Sequence, residues 1–383
     1  METLLPETTT YSVEYAPAVV ELLEKKAPVA LGVSGGKDST AMAFATMAYL
    51  DSIGHGGPRI LIHSDLGRLE WKASLPMCQL LASQLGLELI VVRRQAGDLL
   101  DRWLVRWQNN CARYANLECV RLILPWSTAG MRFCTSELKT AIICRDLVER
   151  FAGSTILSAS GIRSQESPNR AKAPIFAPQL KLSSKTFGTC GFDWHPLLRW
   201  SLEKVLNYHQ FCNFPLHEAY TRYGTSRVSC VFCILSSLAD LLASSTCEEN
   251  YEIYCELVDI EIASTFSFKG DTWLGDIAKH LLSEEQREGL EEAKRKAVRR
   301  VEIEARIPKH LEYTAGWPTV MPSYTEACLL GEVRAAVAVV MGLTISYVDP
   351  YAILDRFAEL IEEKRRKDEA KKKRVPLVYA KGA

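Results

Sequence analysis

The chain has no surplus of charge: among its 383 residues, 46 lysines and arginines meet 46 aspartates and glutamates. Bulk polycation binding to nucleic acid is therefore excluded as a property of the whole, and any such contact must come from a local cluster. It also lacks an apolar run near the ~18 residues that a membrane helix needs. The N-terminal stretch "METLLPETTTYSVEYAP" is acidic and polar, unlike a secretory signal. A soluble, cytoplasmic protein without membrane association is expected. No internal repeat is present, and nothing in the sequence fixes the oligomeric state. Cysteine is not scarce: there are 12. In a long intracellular chain these do not form a disulfide framework, and Cys78, Cys144, Cys255 and Cys328 fall in helical patterns as small core residues. Cys134 in "RFCTSELK" and the Cys230-x-x-Cys233 pair in "RVSCVFCIL" do not fit that pattern.

The first half alternates between short apolar runs and amphipathic segments. "PVALGV", "RILIHS", "LELIVVRR" and "STILSAS" read as strands; 38–50, 70–85, 98–107 and 136–151 read as helices. This predicts an α/β fold, a doubly wound and mainly parallel sheet covered on both faces. A helix beginning near Ser201, with that serine as N-cap, follows, then a loop over 220–233. After Leu235 the pattern is helical at 249–264, 284–306, 324–341 and from 350 to about 367. The expected organisation is a nucleotide-binding α/β domain with its cysteine loop over 1–235, and a mainly helical region over 236–383 with a charged tail at 364–374. That tail, "KRRKDEAKKKR", reads as a solvated helix end, with a nucleic-acid contact as the alternative; "EEAKRKAVRR" raises the same alternative.

Ligands of such sheets bind beyond the carboxyl ends of the strands. The loop "LGVSGGKDST" after the first strand lies there. It lacks the glycine four residues before Gly36-Lys37 that a P-loop requires, and Asp38 stands where Ser or Thr should. It also lacks the third glycine of a dinucleotide fingerprint. Ser34, Gly35, Gly36, Lys37, Asp38 and Ser39 remain, between a strand and a helix. Gly35 and Gly36 allow positive φ and close approach of an anion; the N–H groups and hydroxyls of Ser39 and Thr40 face it at the helix start; Lys37 adds positive charge; Asp38 is placed to cap the helix.

"SGGKDS" resembles the signature of the PP-loop ATP pyrophosphatases, the adenine nucleotide α-hydrolases. "SDLGRLEW" resembles that family's second-strand segment through Asp65 and Gly67, although Leu66 replaces its threonine and Glu70 comes early, where it reads more simply as a helix-start carboxylate. "SGIRSQESPNR", with Gly161, Arg163 and Arg170, and the block "HPLLRWSLEKVLNYHQFCNFPLHEAYTRYGTSRVSCVFC" resemble the phosphoadenosine phosphosulfate (PAPS) reductase branch. The resemblance implies that ATP is held by the loop, with Mg²⁺ near Asp38 or Asp65, and is cleaved between its α- and β-phosphates to adenylate an acceptor. Lys37, Asp38, Arg163 and Arg170 are the catalytic candidates it implies; Arg163 and Arg170 read otherwise as surface partners of Glu166. It also implies a [4Fe–4S] cluster on Cys134, Cys230 and Cys233, or zinc on the same thiolates. Phe133 replaces the second upstream cysteine of some members, so only three ligands match, and Cys111, Cys119, Cys190 and Cys212 are unassigned fourth candidates. "RFCTSELK" with the downstream pair resembles the DndC-type proteins of DNA phosphorothioation.

The reductases finish with a nucleophilic cysteine near the C-terminus. Here the last cysteine is Cys328, in an amphipathic pattern, and "VPLVYAKGA" has none. The expected function is therefore adenylation of an acceptor in sulfur transfer to nucleic acid, of phosphorothioation or thiolation type, with a cysteine desulfurase as the implied sulfur donor. Sulfonucleotide reduction and a non-catalytic nucleotide-binding subunit of a complex are the alternatives.

Overall fold

A computed structural model describes residues 11–374. The start of the acidic N-terminal stretch and the cysteine-free tail, both discussed above, lie outside the described residues. In chain order the elements begin α1 (Pro17–Glu24), β1 (Val29–Val33), α2 (Lys37–Ser52), β2 (Arg59–Asp65), α3 (Ser74–Leu85), β3 (Leu89–Arg93) and α4 (Leu99–Ala115). They continue with α5 (Phe133–Thr135), α6 (Ala141–Arg150), β4 (Thr155–Ser160), α7 (Pro168–Ala171), β5 (Phe176–Pro178), β6 (Cys190–Trp194) and α8 (Leu202–Phe211). The last are α9 (Glu218–Thr221), α10 (Leu238–Ser245), α11 (Tyr251–Ser264), α12 (Glu284–Glu304), α13 (Tyr324–Met341) and α14 (Pro350–Arg374).

The six strands form one sheet in the order β3-β2-β1-β4-β6-β5. All neighbours are parallel except β5, which runs antiparallel to β6. Strand alternation divides the core between the two faces. Val29, Leu31 and Val33 of β1 pack with Met42 and Leu50 of α2, Leu81 of α3 and Val205 of α8. Ala30 faces the other way, with Ile60, Ile62, Ile90 and Ile156, against Leu147 and Val148 of α6. Both faces are thus covered, as the near-continuous apolar strands require. Between β1 and β4 the order reverses, and the carboxyl ends of these two strands border the crevice where such sheets take ligands.

The helix expected over 98–107 runs on to Ala115, and two others differ from expectation for local reasons. The helix expected from Glu70 begins at Ser74, because a 3₁₀ turn over Gly67–Leu69 follows β2 first. The helix expected over 136–151 is broken: α5 runs into a π turn over Ser136–Thr140 before α6. Two carbonyls of that turn are occupied from outside, Leu138 O by the Ser64 hydroxyl and Ser136 O by Lys181 Nζ. Side-chain donors of this kind draw carbonyls out of the α-helical ladder.

The chain divides into two compact units. One holds the chain up to Leu100 together with Ser127–Tyr254; the other holds Asp101–Trp126 and everything from Cys255 onward. The boundary expected at 235/236 is therefore displaced, and a segment from the first half belongs to the helical unit. The cause is apolar surface: Tyr114, Leu117, Cys119, Val120 and Leu122 share one core with Ile303, Leu330, Val333, Val337 and Phe357. The expected helical C-terminal region is present as α11–α14. In it, the cations of "EEAKRKAVRR" are matched locally: Lys294 by Asp276 and Glu291, Arg295 by Glu292, and buried Arg300 by Glu304. The charged tail behaves alike on α14, where Lys364, Arg365, Arg366 and Lys367 pair with Asp368, Glu362 and Glu363.

Arg334 is fully buried and has four carbonyl acceptors, of Tyr114, Ala115, Ser346 and Tyr347, at 2.7–3.1 Å. It fastens the end of α4 and the turn before α14 to α13. Replacing it with methionine fills the space but removes a donor from all four carbonyls; those of Tyr114 and Ala115 keep a backbone donor, Leu117 N–H and Ser346 N–H, while those of Ser346 and Tyr347 lose theirs. At about 1 kcal/mol for each carbonyl left without Arg334 as its donor, Arg334→Met is expected to lower unfolding stability by about 2 kcal/mol or more in a urea titration.

Candidate functional site

The loop after β1 has the expected shape with two changes. Gly35 adopts φ +71°, and a Cβ there would lie 2.8 Å from the Ser74 carbonyl oxygen. Gly36 does not share the positive φ; it is the N-cap of α2 at φ −82°. Asp38 does not cap the helix. It stands inside the first turn, and its carboxylate receives Arg163 Nε and lies 3.6 Å from Lys37 Nζ. Ser39 closes the loop: its hydroxyl accepts from Ser34 N–H at 3.2 Å and donates to Gly36 O at 3.0 Å. Thr40 N–H also bonds Gly36 O, at 3.1 Å. The N–H groups of a first helical turn have no partner within the helix. That of Lys37 is taken by the Tyr220 hydroxyl at 3.2 Å, so the N–H groups of Ser34 and Lys37 are engaged, as is that of Thr40, which was expected to face an anion.

At the end of β4, the backbone of Gly161 lies against the start of α2. A Cβ on Gly161 would sit 2.4 Å from Asp38 O and 2.9 Å from Ser39 Cα. Only glycine permits this approach, and it delivers Arg163 to Asp38. Arg163 is buried, its N–H held at 2.7 Å by Glu166 Oε2. Arg170 takes the surface role instead: it pairs with Glu166 and stays half-exposed. Asp65 accepts from Gly67 N–H at 2.7 Å, closing the turn after β2, and meets Arg93 at 3.3 Å. Glu70 is not a helix-start carboxylate; it accepts from Leu66 N–H at 3.2 Å and faces His63 Nε2 at 3.3 Å. Buried His63 also bonds Val33 O, at the root of the phosphate loop, at 3.0 Å. Burial opposes charge on this imidazole, but the Cys78 thiol and the Glu70 carboxylate outweigh it and raise its pKa to about 10.

Lys37 is buried rather than mobile. Its ammonium donates to Ser226 O at 3.0 Å and lies 4.5 Å from the centroid of the Tyr220 ring. Burial lowers its pKa, against the opposing pull of Asp38. His209 of α8 shares a hydrogen bond with Lys37 O at 2.8 Å, and burial lowers its pKa too; it is a neutral ring donating from Nε2. Tyr220, Ser226 and His209 escaped the sequence reading. His209 gave one signal, its place beside Val205 and Tyr208 on the buried stripe of α8; the other two meet the loop across more than 180 residues and gave none.

Of the close pair Cys230 and Cys233, the Cys233 thiol is held below its usual range by its neighbour Cys230, by the Leu235 N–H at 3.5 Å and by Arg227 and Lys139. Cys230 is raised by Cys233 and by burial, and Cys134 raises it further through space. Cys134, Cys230 and Cys233 are thus linked through space, beside the cations of Arg227 and Lys139. As donors they suit a thiolate-bound metal group. Among the described residues, however, no three His, Cys, Asp or Glu side chains converge as a metal-holding set. Of the fourth candidates, Cys190 lies beside Thr155 on β6, Cys212 ends α8 beside Tyr208, Cys119 packs in the helical core and Cys111 lies on α4. Asp38 and Asp65, expected near Mg²⁺, each already hold an arginine. The cysteine loop also adjoins the sheet edge: Val231 N–H bonds Leu69 O, in the turn after β2, at 2.8 Å.

Residues 28–236 match the family model for the phosphoadenosine phosphosulfate reductase domain. No curated protein matches the chain. Similar solved structures include Candida glabrata FMN adenylyltransferase with FAD and inorganic pyrophosphate, at 15% identity over 53% of this chain and 54% of that one, TM-score 0.33. Others are Candida auris phosphoadenylyl-sulfate reductase in a phosphate complex (14% identity, 53% and 80% covered, TM-score 0.32) and the U34-tRNA thiolase NcsA of Methanococcus maripaludis with its [4Fe-4S] cluster (15%, 73% and 75%, TM-score 0.35). The chain spans about half the length of the first of these.

Two outcomes follow from the geometry. Gly161→Ala forces a methyl against Asp38 O, and is expected to cost about 1–3 kcal/mol of stability and to weaken any ligand of the loop, read by urea unfolding and calorimetry. His63 has a raised pKa, so its contribution is complete below its unfolded value near 6.5 and is lost as pH climbs toward about 10. Stability should therefore decline across that window, and Glu70→Gln should flatten the decline; thermal melts from pH 6 to 10 provide the check.

Proposed function

The chain belongs to the phosphoadenosine phosphosulfate reductase domain family, and from that premise we propose that it is an ATP pyrophosphatase that cleaves the α–β bond to adenylate an acceptor in sulfur transfer to nucleic acid. The observation that carries this reading is one sheet edge where the Ser34–Ser39 loop, Lys37, Asp38 and Arg163 meet the loop of Cys230 and Cys233. A nucleotide site and a thiol site that share an edge suit a reaction that activates an acceptor and then delivers sulfur to it.

The phosphates of ATP lie on the glycine loop, where the N–H groups of Asp38 and Ser39 at the start of α2 attract negative charge. Lys37, withdrawn from water, turns a further N–H of its ammonium to a phosphate oxygen while keeping its bond to the Ser226 carbonyl. Arg163 holds a guanidinium at the carboxyl end of β4 and offsets charge that builds on the α-phosphorus as pyrophosphate leaves; Asp38 orients it. Arg170 acts through Glu166. Mg²⁺ travels with the phosphates, its usual manner of binding, rather than in a cage of protein carboxylates. Cys134, Cys230 and Cys233 would hold a [4Fe–4S] cluster, which supplies an iron with an exchangeable position for sulfur. Zinc would use the same thiolates. A cysteine desulfurase would be the sulfur donor.

Lys37→Ala and Asp38→Ala are each expected to cut ATP turnover about 100-fold or more without unfolding the protein. Anaerobically purified protein should carry iron and sulfide and absorb in the visible, and Cys134→Ala should lose both. Colourless, iron-free wild type would remove the cluster while leaving the nucleotide claim standing. Sulfite released from PAPS with thioredoxin would replace this reading by sulfonucleotide reduction, and nucleotide binding without turnover, with or without acceptor, by a non-catalytic role.

A further inference from the structure

Tyr220 stands between the two halves of the site. Its hydroxyl accepts from the N–H of Lys37 at 3.2 Å and from that of Val228 at 3.1 Å. A phenolic oxygen accepts two such bonds and donates one. Both accepting positions are filled, and the proton has no acceptor among the described residues. Burial pushes the phenol up to about 12, so the proton stays on. Gly36 lies directly beside this hydroxyl: a Cβ there would sit 3.4 Å from it, in ordinary contact, and 3.3 Å from Val228 Cβ. Two further contacts bind the same partners. Lys37 Nζ holds Ser226 O, and Ser226 is fixed in turn by Asp240, through its N–H at 2.7 Å and its hydroxyl at 2.9 Å. The segment 226–228 thus hangs on the phosphate loop at one end and runs into Cys230 at the other.

We propose that Tyr220 is a positioning residue that couples occupancy of the phosphate loop to the order of the segment carrying Cys230 and Cys233. An anion on the loop accepts the free phenolic proton. Polarising that O–H strengthens the bonds its oxygen receives, since linked hydrogen bonds reinforce one another. The N–H of Val228 is then held more tightly, and the cysteine segment is more firmly ordered on the loop while nucleotide is bound. This rests on the adenine-nucleotide reading above and adds a direction of communication between the two sites.

The test is hydrogen exchange by mass spectrometry on peptides spanning 224–235, with and without Mg²⁺ and α,β-methylene ATP, which cannot be cleaved at the bond in question. Calorimetry measures binding of the same analogue. In the wild type, the analogue should slow exchange at Val228, by less than the roughly five-fold that a whole net hydrogen bond would give, since the bond is strengthened rather than formed. Tyr220→Phe keeps the ring beneath Lys37 and should still bind the analogue, but with that slowing abolished. A tyrosine with only a structural role would shift exchange equally with and without nucleotide. Binding to wild type with unchanged exchange at 224–235, or full slowing retained in Tyr220→Phe, overturns the coupling and leaves the nucleotide reading intact. Absence of binding to wild type overturns both. The wild-type arm decides by itself should the variant fold poorly.

Discussion

The site depends on how closely the end of β4 approaches the start of α2. Gly161 lies so near Asp38 that no side chain fits between them. This contact joins the two strands at which the sheet order reverses, β1 and β4. It brings Arg163 under cover and onto the Asp38 carboxylate, and so sets two charges of opposite sign at the mouth of the glycine loop. Loosening the approach would return both side chains to solvent, where such a pair contributes little.

From that junction the remaining constraints spread outward. Glu166 fixes the Arg163 backbone and engages Arg170, so one arginine is drawn in and the other left at the surface. His63 links Val33, where β1 ends, to Glu70 beyond the turn after β2. Lys37 is closed over by Tyr220 and Ser226, which arrive from the segment leading to the cysteines. The glycine loop, the guanidinium and the Cys230–Cys233 loop thus form one connected region of the first unit, built from four separate stretches of chain.

The sheet was legible because its cause is local. Short apolar runs alternate with amphipathic ones, and parallel pairing follows. The glycine loop was legible for the same reason: its composition states the backbone it needs. Asp38 was misread because helix-capping rules look only at neighbours, whereas its partner Arg163 lies 125 residues away. Glu70 was misread as a helix start because a 3₁₀ turn intervenes. The division into units could not be read at 235 because Leu117, Val120 and Leu122 find their core among residues beyond 300. Tyr220 and Ser226 were invisible, since nothing in a tyrosine or a serine carbonyl announces that it will meet a lysine from the first strand's loop. The expectation that Cys134, Cys230 and Cys233 form one ligand set came from resemblance, since their spacing alone would not have linked them; among the described residues no such set converges.

The second unit explains itself as packing. Arg334, Arg300 and Glu261 are buried there with their hydrogen bonds met, the last by three backbone N–H groups. Among the described residues, Lys294, Arg295, Arg300 and Lys364–Lys367 of its charged helices pair with acids of the same unit, which weakens the case for them as a nucleic-acid surface. The account's central claim concerns which bond of ATP breaks. Protein incubated with Mg²⁺ and ATP labelled at the α-phosphorus, with nucleic acid as acceptor, settles it by product separation. The account expects the label in AMP or on the acceptor, with unlabelled pyrophosphate released. Label in ADP, with inorganic phosphate as the other product, would contradict it.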